Sequence, residues 1–508
     1  MSSDLSRDHF PGARARSPKH ARGDDVAATA RRDGSERVSS RGGVRAASGS
    51  DDASDDPASR VLGWLARATD DASLEGKVAL RDLGDGRGRG LVALRNLAPD
   101  EVVFSLPWDL VFAEEEEEDP EDPEDPARRA TRVVDPDDPS AEHEDSAPMP
   151  WSARMAMRLL EERARGDDSP LAPWIAALPS RVSTPPLEYD AEDVAEAEDA
   201  AIDAEVAAVA FAHADACLEL EDRLRAIGCD ADDLRWATGV LHSRCFTYGA
   251  RGRHLLAPGV DMCNHDAEAK NAVARVVHSP ETCQGAVATS EIAPTTEENT
   301  LINRTPAGAS ESFFQLRAGE DGVEEGAEVL ISYGDWPNDP FFLYFGFVPA
   351  GNRHDAVVLF DTVDALASCA VRLGLIEPGE ASATGIRKAS EAVAIGKSGD
   401  ASSAAKTGSD RGLVLTREGV DGGVIAACDV LGVESWVDLV EGRCLELLRA
   451  YRTTLKEDRA LLDAATAEGR LDAATAIAYR ASKKEVLLGP VAAGRARRAA
   501  EEAARQTA

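Results

Sequence analysis

The sequence predicts an α+β fold, in which blocks of strands and blocks of helices follow one another along 508 residues. Apolar residues alternate with polar ones near 90–106, as in half-buried strands. From Trp151 onward they recur every four residues instead, as on one face of a helix, and helical periodicity returns between 430 and 490. This order of blocks differs from the regular strand–helix alternation that builds a parallel sheet.

The predicted strands form two groups. Residues 90–94 and 101–106 both alternate in the strand manner and are separated by a turn at Pro99–Asp100. Further strand patterns cover 271–277 and 328–333. The first group precedes the first predicted helical region, and the second group lies between the two helical regions.

Two regions are predicted to be helical. Trp151, Met155 and Leu159 share one apolar face, and with a second helical stretch at 191–227 they make 151–235 the first predicted helical region. The second helical region covers 430–490.

Low-complexity segments divide the chain into 60–113, 150–350 and 355–490, which we group into two predicted folded regions, 60–350 and 355–490. Residues 1–57 contain almost no large apolar side chains, so we expect them to be disordered. Residues 114–150 form an acidic insert with Asp-Pro repeats, which we expect to be a solvated loop. Residues 380–410, rich in Ala, Ser, Gly and Lys, are also predicted to be a loop.

The charge balance limits the classes of partner. The chain has 56 Lys and Arg against 92 Asp and Glu, a net charge of −36. We therefore expect no nucleic acid as main partner, because phosphate binding needs clustered basic residues. The balance is compatible with a basic protein segment, and equally with acidic tracts on a solvated surface. We also expect no membrane span, because no uncharged apolar stretch of about 18 residues occurs.

The eight cysteines are too sparse for a disulfide scaffold and contain no C-x-x-C pair. We therefore expect a reducing compartment and no metal site. An Arg- and Ser-rich beginning is one feature of organellar transit peptides, although acidic residues are unusual in them. The sequence leaves the chloroplast, the cytoplasm and the nucleus open.

A glycine cluster at Asp82–Gly90 is the first candidate for chemistry. It resembles the nucleotide loop of Rossmann-type methyltransferases, but that loop needs a helix directly after its last glycine. Here Pro99 follows too soon for such a helix. A glycine loop between strands can still bring its backbone close to a ligand, whereas the alternative is a plain flexible turn.

Further motifs follow in a fixed order after Gly86–Ala93: Ser243-Arg-Cys-Phe, Asp261-Met-Cys-Asn-His, Ile331-Ser-Tyr-Gly and Phe345-Gly-Phe-Val. Each alone is ordinary. Together they resemble SET-domain methyltransferases of the branch that contains the Rubisco large-subunit lysine methyltransferase. Residues 169–179 resemble the helical insert of that branch, and 454–484 resemble its C-terminal substrate-binding lobe.

The resemblance implies a SET β-fold with a pseudoknot and an inserted helical region, followed by an all-α C-terminal substrate-binding lobe. It also implies S-adenosylmethionine as the methyl donor and a protein lysine as the acceptor. Donor-binding positions are assigned by the match to Arg87, Gly88, Arg89, Arg244, Asn264 and His265. Asp261 and Phe345 match positions near the acceptor, and Tyr333 matches the active-site tyrosine.

The chemistry agrees with these assignments. Methyl transfer from a sulfonium is an in-line displacement, so the enzyme mainly positions its reactants and a neutral amine. A lysine is mostly protonated at pH 7, but desolvation and a nearby positive charge favour its neutral form.

The sequence also departs from the family pattern. Phe345 stands where relatives often have a tyrosine, which makes the predicted channel more apolar. A histidine acceptor and a non-catalytic binding module therefore stay open as alternatives. The substrate protein, the number of methyl groups, the oligomeric state and the role of 278–313 have no signature in the sequence.

Overall fold

The fold is known from a computed structural model, which describes residues 57–84, 88–114, 149–248, 253–278, 289–291, 312–399 and 412–507. The predicted disordered segment up to residue 56, Arg87, and residues 115–148 of the acidic insert lie outside the described residues. Within the described ranges, no helix combines the length and the apolar character that a membrane span needs.

The glycine cluster joins two antiparallel strands. Helices α1 (Pro57–Ala68) and α2 (Leu74–Lys77) precede strands β1 (Val78–Asp82) and β2 (Arg89–Ala93). The backbone N–H of Leu83 donates to the carbonyl of Gly88 at 2.9 Å. Gly88 has a φ of +70°, a conformation that glycine adopts without steric cost. A strand and not a helix follows the last glycine, so the Rossmann-type alternative is wrong.

The remaining strands of the N-terminal part form small sheets. A four-stranded antiparallel sheet has the order β3 (Val102–Pro107), β10 (Ser312–Ala318), β8 (Ala272–His278) and β9 (Thr289–Glu291). A three-stranded sheet consists of β4 (Phe112–Ala113), β6 (Arg253–Leu256) and β5 (Phe246–Tyr248). Both combine segments from before and after the helical insert.

The motif segments lie side by side through one short parallel pairing. Strand β7 (Asn264–His265) pairs with β11 (Leu330–Ile331). On the other side, the N–H of Val329 donates to the carbonyl of Leu91 in β2 at 2.7 Å. The segment that leads to Tyr333 therefore runs between β2 and β7, in agreement with the predicted SET β-fold.

The region predicted as a helical insert contains α3 (Trp151–Ala164), α4 (Ala172–Ala177), α5 (Ala191–Ala195), α6 (Ala200–Glu219), α7 (Glu221–Ala226) and α8 (Ala231–Arg244). Helix α3 buries Met155 and Leu159, as their spacing predicts. Helix α8 begins with a capping box, in which the side chains of Asp230 and Asp233 each accept a backbone N–H of the first turn.

The C-terminal part is largely helical. A short helix α9 (Asn338–Pro340) continues into a π-helical turn, Phe341–Phe345. The later elements are β12 (Ala356–Phe360), α10 (Val363–Arg372), α11 (Ala383–Gly399), β13 (Leu413–Thr416), α12 (Gly422–Leu431), α13 (Trp436–Ala450), α14 (Leu455–Ala467) and α15 (Leu471–Thr507).

Two features of this part differ from the expectations. The lobe is predicted to be all-α, but the structure contains an antiparallel pair of strands there, β12 and β13. The two strands are short apolar runs far apart in sequence, so no hairpin turn signals their pairing. Residues 383–399 of the predicted 380–410 loop form helix α11, because Ile386, Ala389 and Val393 present one apolar face to the core.

The apolar side chains gather in two main cores. The larger core draws on residues between 61 and 331, and the second core on residues between 359 and 491. The domain boundaries 60–350 and 355–490 stay predictions.

Helix α15 carries a group of buried cations that are matched by carboxylates. Asp458 of α14 is fully buried and accepts from Arg480 Nε at 2.9 Å and from Lys484 Nζ. Burial raises the pKa of Asp458, but hydrogen bonds from Lys484, Thr453 and Arg480 outweigh burial, so its pKa is lowered overall. The carboxylate is therefore charged between two buried cations.

The same helix reaches the segments on either side of the site. Lys483 Nζ lies 2.6 Å from an oxygen of Asp339 and 2.7 Å from an oxygen of Asp355. The hydroxyl of Tyr479 donates to Asp199, the N-cap residue of α6, at 2.9 Å. Helix α15 thus holds the insert, the segment after Tyr333 and α14 together.

We expect the Asp458→Asn variant to lose about 3–5 kcal/mol of unfolding free energy, because it leaves buried Lys484 without its counter-charge and removes one carboxylate partner of Arg480. Denaturant unfolding measures this loss. Asp463→Asn, at an exposed position of the same helix, should change the unfolding free energy by less than about 0.5 kcal/mol. Equal losses of unfolding free energy in the two variants would contradict the stabilising role of the Asp458 carboxylate.

Candidate active site

A cavity of about 520 Å³ lies between the helical insert and the motif segments. Four of the predicted site residues line it: Arg244, Asp261, Tyr333 and Phe345. Its volume is within the range of ligand pockets, and much of its wall is aromatic. The structure therefore brings together the predicted acceptor residues, the predicted tyrosine and one predicted donor-binding residue.

Arg244 is the last residue of α8 and points back to the Asp261 segment. Its Nη1 donates to the backbone carbonyl of Asp261 at 2.7 Å and lies 3.5 Å from carboxylate oxygen Oδ2. Among the residues that the structure describes, nothing bonds to the buried Nε of Arg244. One side of the guanidinium is thus fixed by protein, and one donor is left for another group.

Asp261 is engaged on both carboxylate oxygens. Oδ1 accepts the backbone N–H of Gly259 at 2.9 Å, and Oδ2 accepts the indole N–H of Trp174 at 3.1 Å. Burial raises the pKa of this carboxyl group, against the lowering effects of Arg244 and the two N–H donors. Asp261 lines the cavity, but its carboxylate mainly serves partners within the protein, so its predicted role toward the acceptor stays a prediction.

Asn264 connects β7 to the glycine loop. Its Nδ2 donates to the carbonyl of Arg89 at 3.3 Å and to Oε1 of Glu328 at 2.8 Å. The Arg89 side chain turns away toward α4, where Nη2 donates to the carbonyl of Ala177 at 2.6 Å. The backbone of Arg89, and not its charge, therefore faces Asn264.

His265 lies beneath Tyr333. Its Nδ1 accepts the backbone N–H of Tyr333 at 2.9 Å, and its ring stacks on Phe341 with a centroid distance of 4.7 Å. Burial lowers the pKa of His265 to about 4, so the ring is neutral at physiological pH and carries its hydrogen on Nε2. This hydrogen bond joins the residues near the glycine loop to those on the cavity wall.

Tyr333 ends the third motif with its hydroxyl fixed. The hydroxyl donates to the carbonyl of Cys263 at 2.8 Å, and the ring lies 5.2 Å from that of Phe345. Burial raises the pKa of Tyr333, so the residue stays a phenol at neutral pH. Its oxygen lone pairs are left to accept a hydrogen bond.

Glu328 is a site residue that the sequence reasoning missed. Besides accepting from Asn264, it explains why residue 90 is glycine. A Cβ on Gly90 would lie 2.7 Å from Oε1 of Glu328 and 2.9 Å from Nδ2 of Asn264. A lone acidic residue at the start of an apolar strand is the signal that marks it in the sequence.

The insert side of the cavity was also missed. His242, adjacent to the Ser243-Arg244 motif, lines the cavity between Trp151 and Tyr344, with ring centroids 6.0 and 5.4 Å away. Burial lowers the pKa of His242 to about 4. Trp151 also stacks on His254 at a centroid distance of 3.5 Å.

The ends of the acidic insert are joined close to this wall. Arg154 Nη2 donates to Glu114 at 2.9 Å, and its Nη1 donates to the carbonyl of Met149 at 2.7 Å. Glu114 also lies 3.2 Å from Nδ1 of His254. The expectation that the insert is solvated from residue 114 is therefore wrong for Glu114, because an arginine and a histidine hold it in place.

The lowered pKa values of His242 and His265 predict how the stability of the protein depends on pH. The histidine pKa is about 6.5 in an unfolded chain, so between pH 4 and 6.5 the unfolded state binds more protons. The unfolding free energy should therefore fall as the pH falls through this range. We expect His242→Gln to reduce the slope by up to about 1.4 kcal/mol per pH unit. Denaturant unfolding between about pH 5 and 7.5 measures it, and an unchanged slope would contradict a neutral, buried His242.

Comparison with known proteins gives one match to a family profile and several matches to solved structures. The sequence profile of the Rubisco LSMT substrate-binding family matches residues 426–487. No curated protein matches the sequence.

Three solved structures are similar over most of the chain. The SET domain of LSMT bound to lysine and AdoHcy is 18% identical, covers 86% of this chain and 90% of its own, and has a TM-score of 0.49. Rubisco LSMT bound to AdoMet is 17% identical, with coverages of 86% and 91% and a TM-score of 0.48. Rubisco LSMT bound to sinefungin and monomethyllysine is 18% identical, with coverages of 87% and 92% and a TM-score of 0.48. The profile match falls in the C-terminal region where the sequence predicted it, so residues 426–487 confirm the resemblance to the Rubisco LSMT substrate-binding family.

Proposed function

We propose that this protein transfers a methyl group from S-adenosylmethionine to the side-chain amine of a lysine in another protein. The observation that carries the proposal is the shared wall of Arg244 and Tyr333. One cavity is lined by a fixed phenol and by a guanidinium whose buried Nε has no partner in the described part of the chain. The first suits the carboxylate of an amino-acid-like donor, and the second suits the orientation of an amine.

The residues present fit the donor. Arg244 offers a permanently charged donor group that the described protein does not fully satisfy. Among the described residues, no atom lies within 4 Å of the Cβ position of Gly88, so none of them blocks the approach of a ligand to the backbone there. Asn264 and His265, next to the backbone of Arg89, would hold the adenosine portion. The bound donor supplies an electrophilic methyl group on a sulfonium.

The cavity wall also suits a neutral amine. Its aromatic lining provides little hydration, and the one carboxylate among the described lining residues, Asp261, is already engaged by two N–H donors. Desolvation beside Arg244 lowers the pKa of an entering lysine and favours its neutral form. Tyr333, which stays protonated, would accept a hydrogen bond from the amine without removing its proton.

The C-terminal lobe supports a protein substrate. Residues 426–487 match a family described as Rubisco LSMT substrate-binding, and helix α15 ties this region to the segment after Tyr333. A polypeptide bound by the lobe would therefore be held at a fixed position relative to the cavity.

We expect Tyr333→Phe to lower methyl transfer by about a hundredfold or more, because the phenol that orients the amine is lost. Transfer of labelled methyl groups into a cell extract measures this effect, and calorimetry with the donor should show nearly unchanged binding. Tyr344→Phe is the matched control, since Tyr344 also lines the cavity but its hydroxyl donates to Glu205, which does not line it. A fully active Tyr333→Phe variant would rule out the role of this residue.

We expect Arg244→Met to raise the dissociation constant of S-adenosylmethionine about 10- to 100-fold, since a charge-assisted hydrogen bond contributes about 1.5–3 kcal/mol. Calorimetry measures the constant. Arg235→Met, on the same helix with a surface ion pair to Asp232, should leave it unchanged. Equal constants for Arg244→Met and the wild type would contradict the assigned donor site.

Mass spectrometry of the labelled protein then identifies the acceptor. Methylated lysine supports the proposal, and methylated histidine would replace the acceptor while keeping the reaction. A chain that neither binds the donor nor labels any protein would instead be a binding module.

A further inference from the structure

Helix α4 of the insert contacts the donor-side residues at two points. Trp174 is fully buried, and its indole N–H donates to Oδ2 of Asp261 at 3.1 Å. Three residues later, the carbonyl of Ala177 accepts Nη2 of Arg89 at 2.6 Å. A short helix outside the cavity motifs is thus bonded to both the glycine-loop strand and the partner of Arg244.

The Asp261 segment passes this constraint to Arg244. Its backbone carbonyl accepts Nη1 of Arg244 at 2.7 Å, and Oδ2, the oxygen that Trp174 bonds, lies 3.5 Å from the same nitrogen. Oδ1 is taken by the backbone of Gly259. In this orientation the carboxylate accepts from both Gly259 and Trp174 and stays next to Arg244, and Trp174 supplies the contact that comes from outside the motif segments.

We propose that Trp174 is a positioning residue for donor binding, which acts by orienting Asp261 so that the Nε of Arg244 is left for the donor. The proposal rests on the proposed function, because it assumes that Arg244 binds the donor. It goes beyond that function, since Trp174 lies outside the cavity wall and acts through another residue.

Loss of the indole N–H would also change the charge of Asp261. Arg244 is the charged group that acts on Asp261, and, besides burial, Asp261 in turn raises the pKa of Cys245, Cys263 and Tyr333. Burial raises the pKa of Asp261, while Arg244, Trp174 and the Gly259 N–H lower it. Without Trp174 the pKa rises further, so the carboxyl group loses its charge at a higher pH than in the wild type.

The test compares Trp174→Phe with Trp236→Phe by calorimetry with S-adenosylhomocysteine. Trp236 is the matched control, since its indole N–H donates to the carbonyl of Pro179 at 2.8 Å instead. We expect Trp174→Phe to raise the dissociation constant about three- to tenfold, the effect of one buried hydrogen bond, and the control to match the wild type. The pH at which binding weakens on acidification should also move upward in Trp174→Phe alone.

Asp261→Asn keeps the test independent of whether Trp174→Phe folds. It should weaken donor binding by at least as much, and Trp174→Phe should add little in the double variant, because both act through the same carboxylate. If the wild type does not bind the probe, the proposed function is wrong, and this inference is wrong with it. If the wild type binds, this inference alone is overturned by an unchanged constant in Asp261→Asn or by equal constants and pH profiles in the two tryptophan variants.

Discussion

The arrangement depends on three buried cations of helix α15 that must stay paired. Arg480, Lys483 and Lys484 are at most 3% exposed, and their carboxylate partners come from the insert, from the segment after Tyr333 and from α14. An unpaired charge at such positions is costly, so these segments have to meet at one place. Directional ionic contacts, together with a small apolar cluster that includes Ile202, Phe342 and Tyr479, therefore specify how the C-terminal helices meet the site.

The site itself depends on a few backbone pairings between residues that are far apart in sequence. Strand β11 lies beside β7, and the residue before it pairs with β2. These contacts place residues from three distant motifs next to each other, and the bond from Tyr333 to His265 connects them. The glycine at position 90 belongs to the same arrangement, because Glu328 and Asn264 occupy the space of a side chain.

The sequence could predict the α+β class and the main helices, because periodicity is a local property. It could also predict the cavity residues Arg244, Tyr333 and Phe345, because they lie in ordered motifs. It missed helix α11, whose apolar face is sparse in an Ala- and Ser-rich stretch, and the pairing of β12 with β13, which has no local turn signal. Glu328 and Trp174 were missed for a related reason, since their importance arises from partners far away in sequence.

Arg154 has a consequence for how this protein can vary among related sequences. It holds Glu114 and the carbonyl of Met149 together, so these two residues, which flank 115–148, are fixed at one point beside the cavity. The entropy cost of closing a loop grows only logarithmically with its length. Insertions and deletions between these two residues should therefore accumulate freely in evolution, while Trp151 and the cavity wall keep their places.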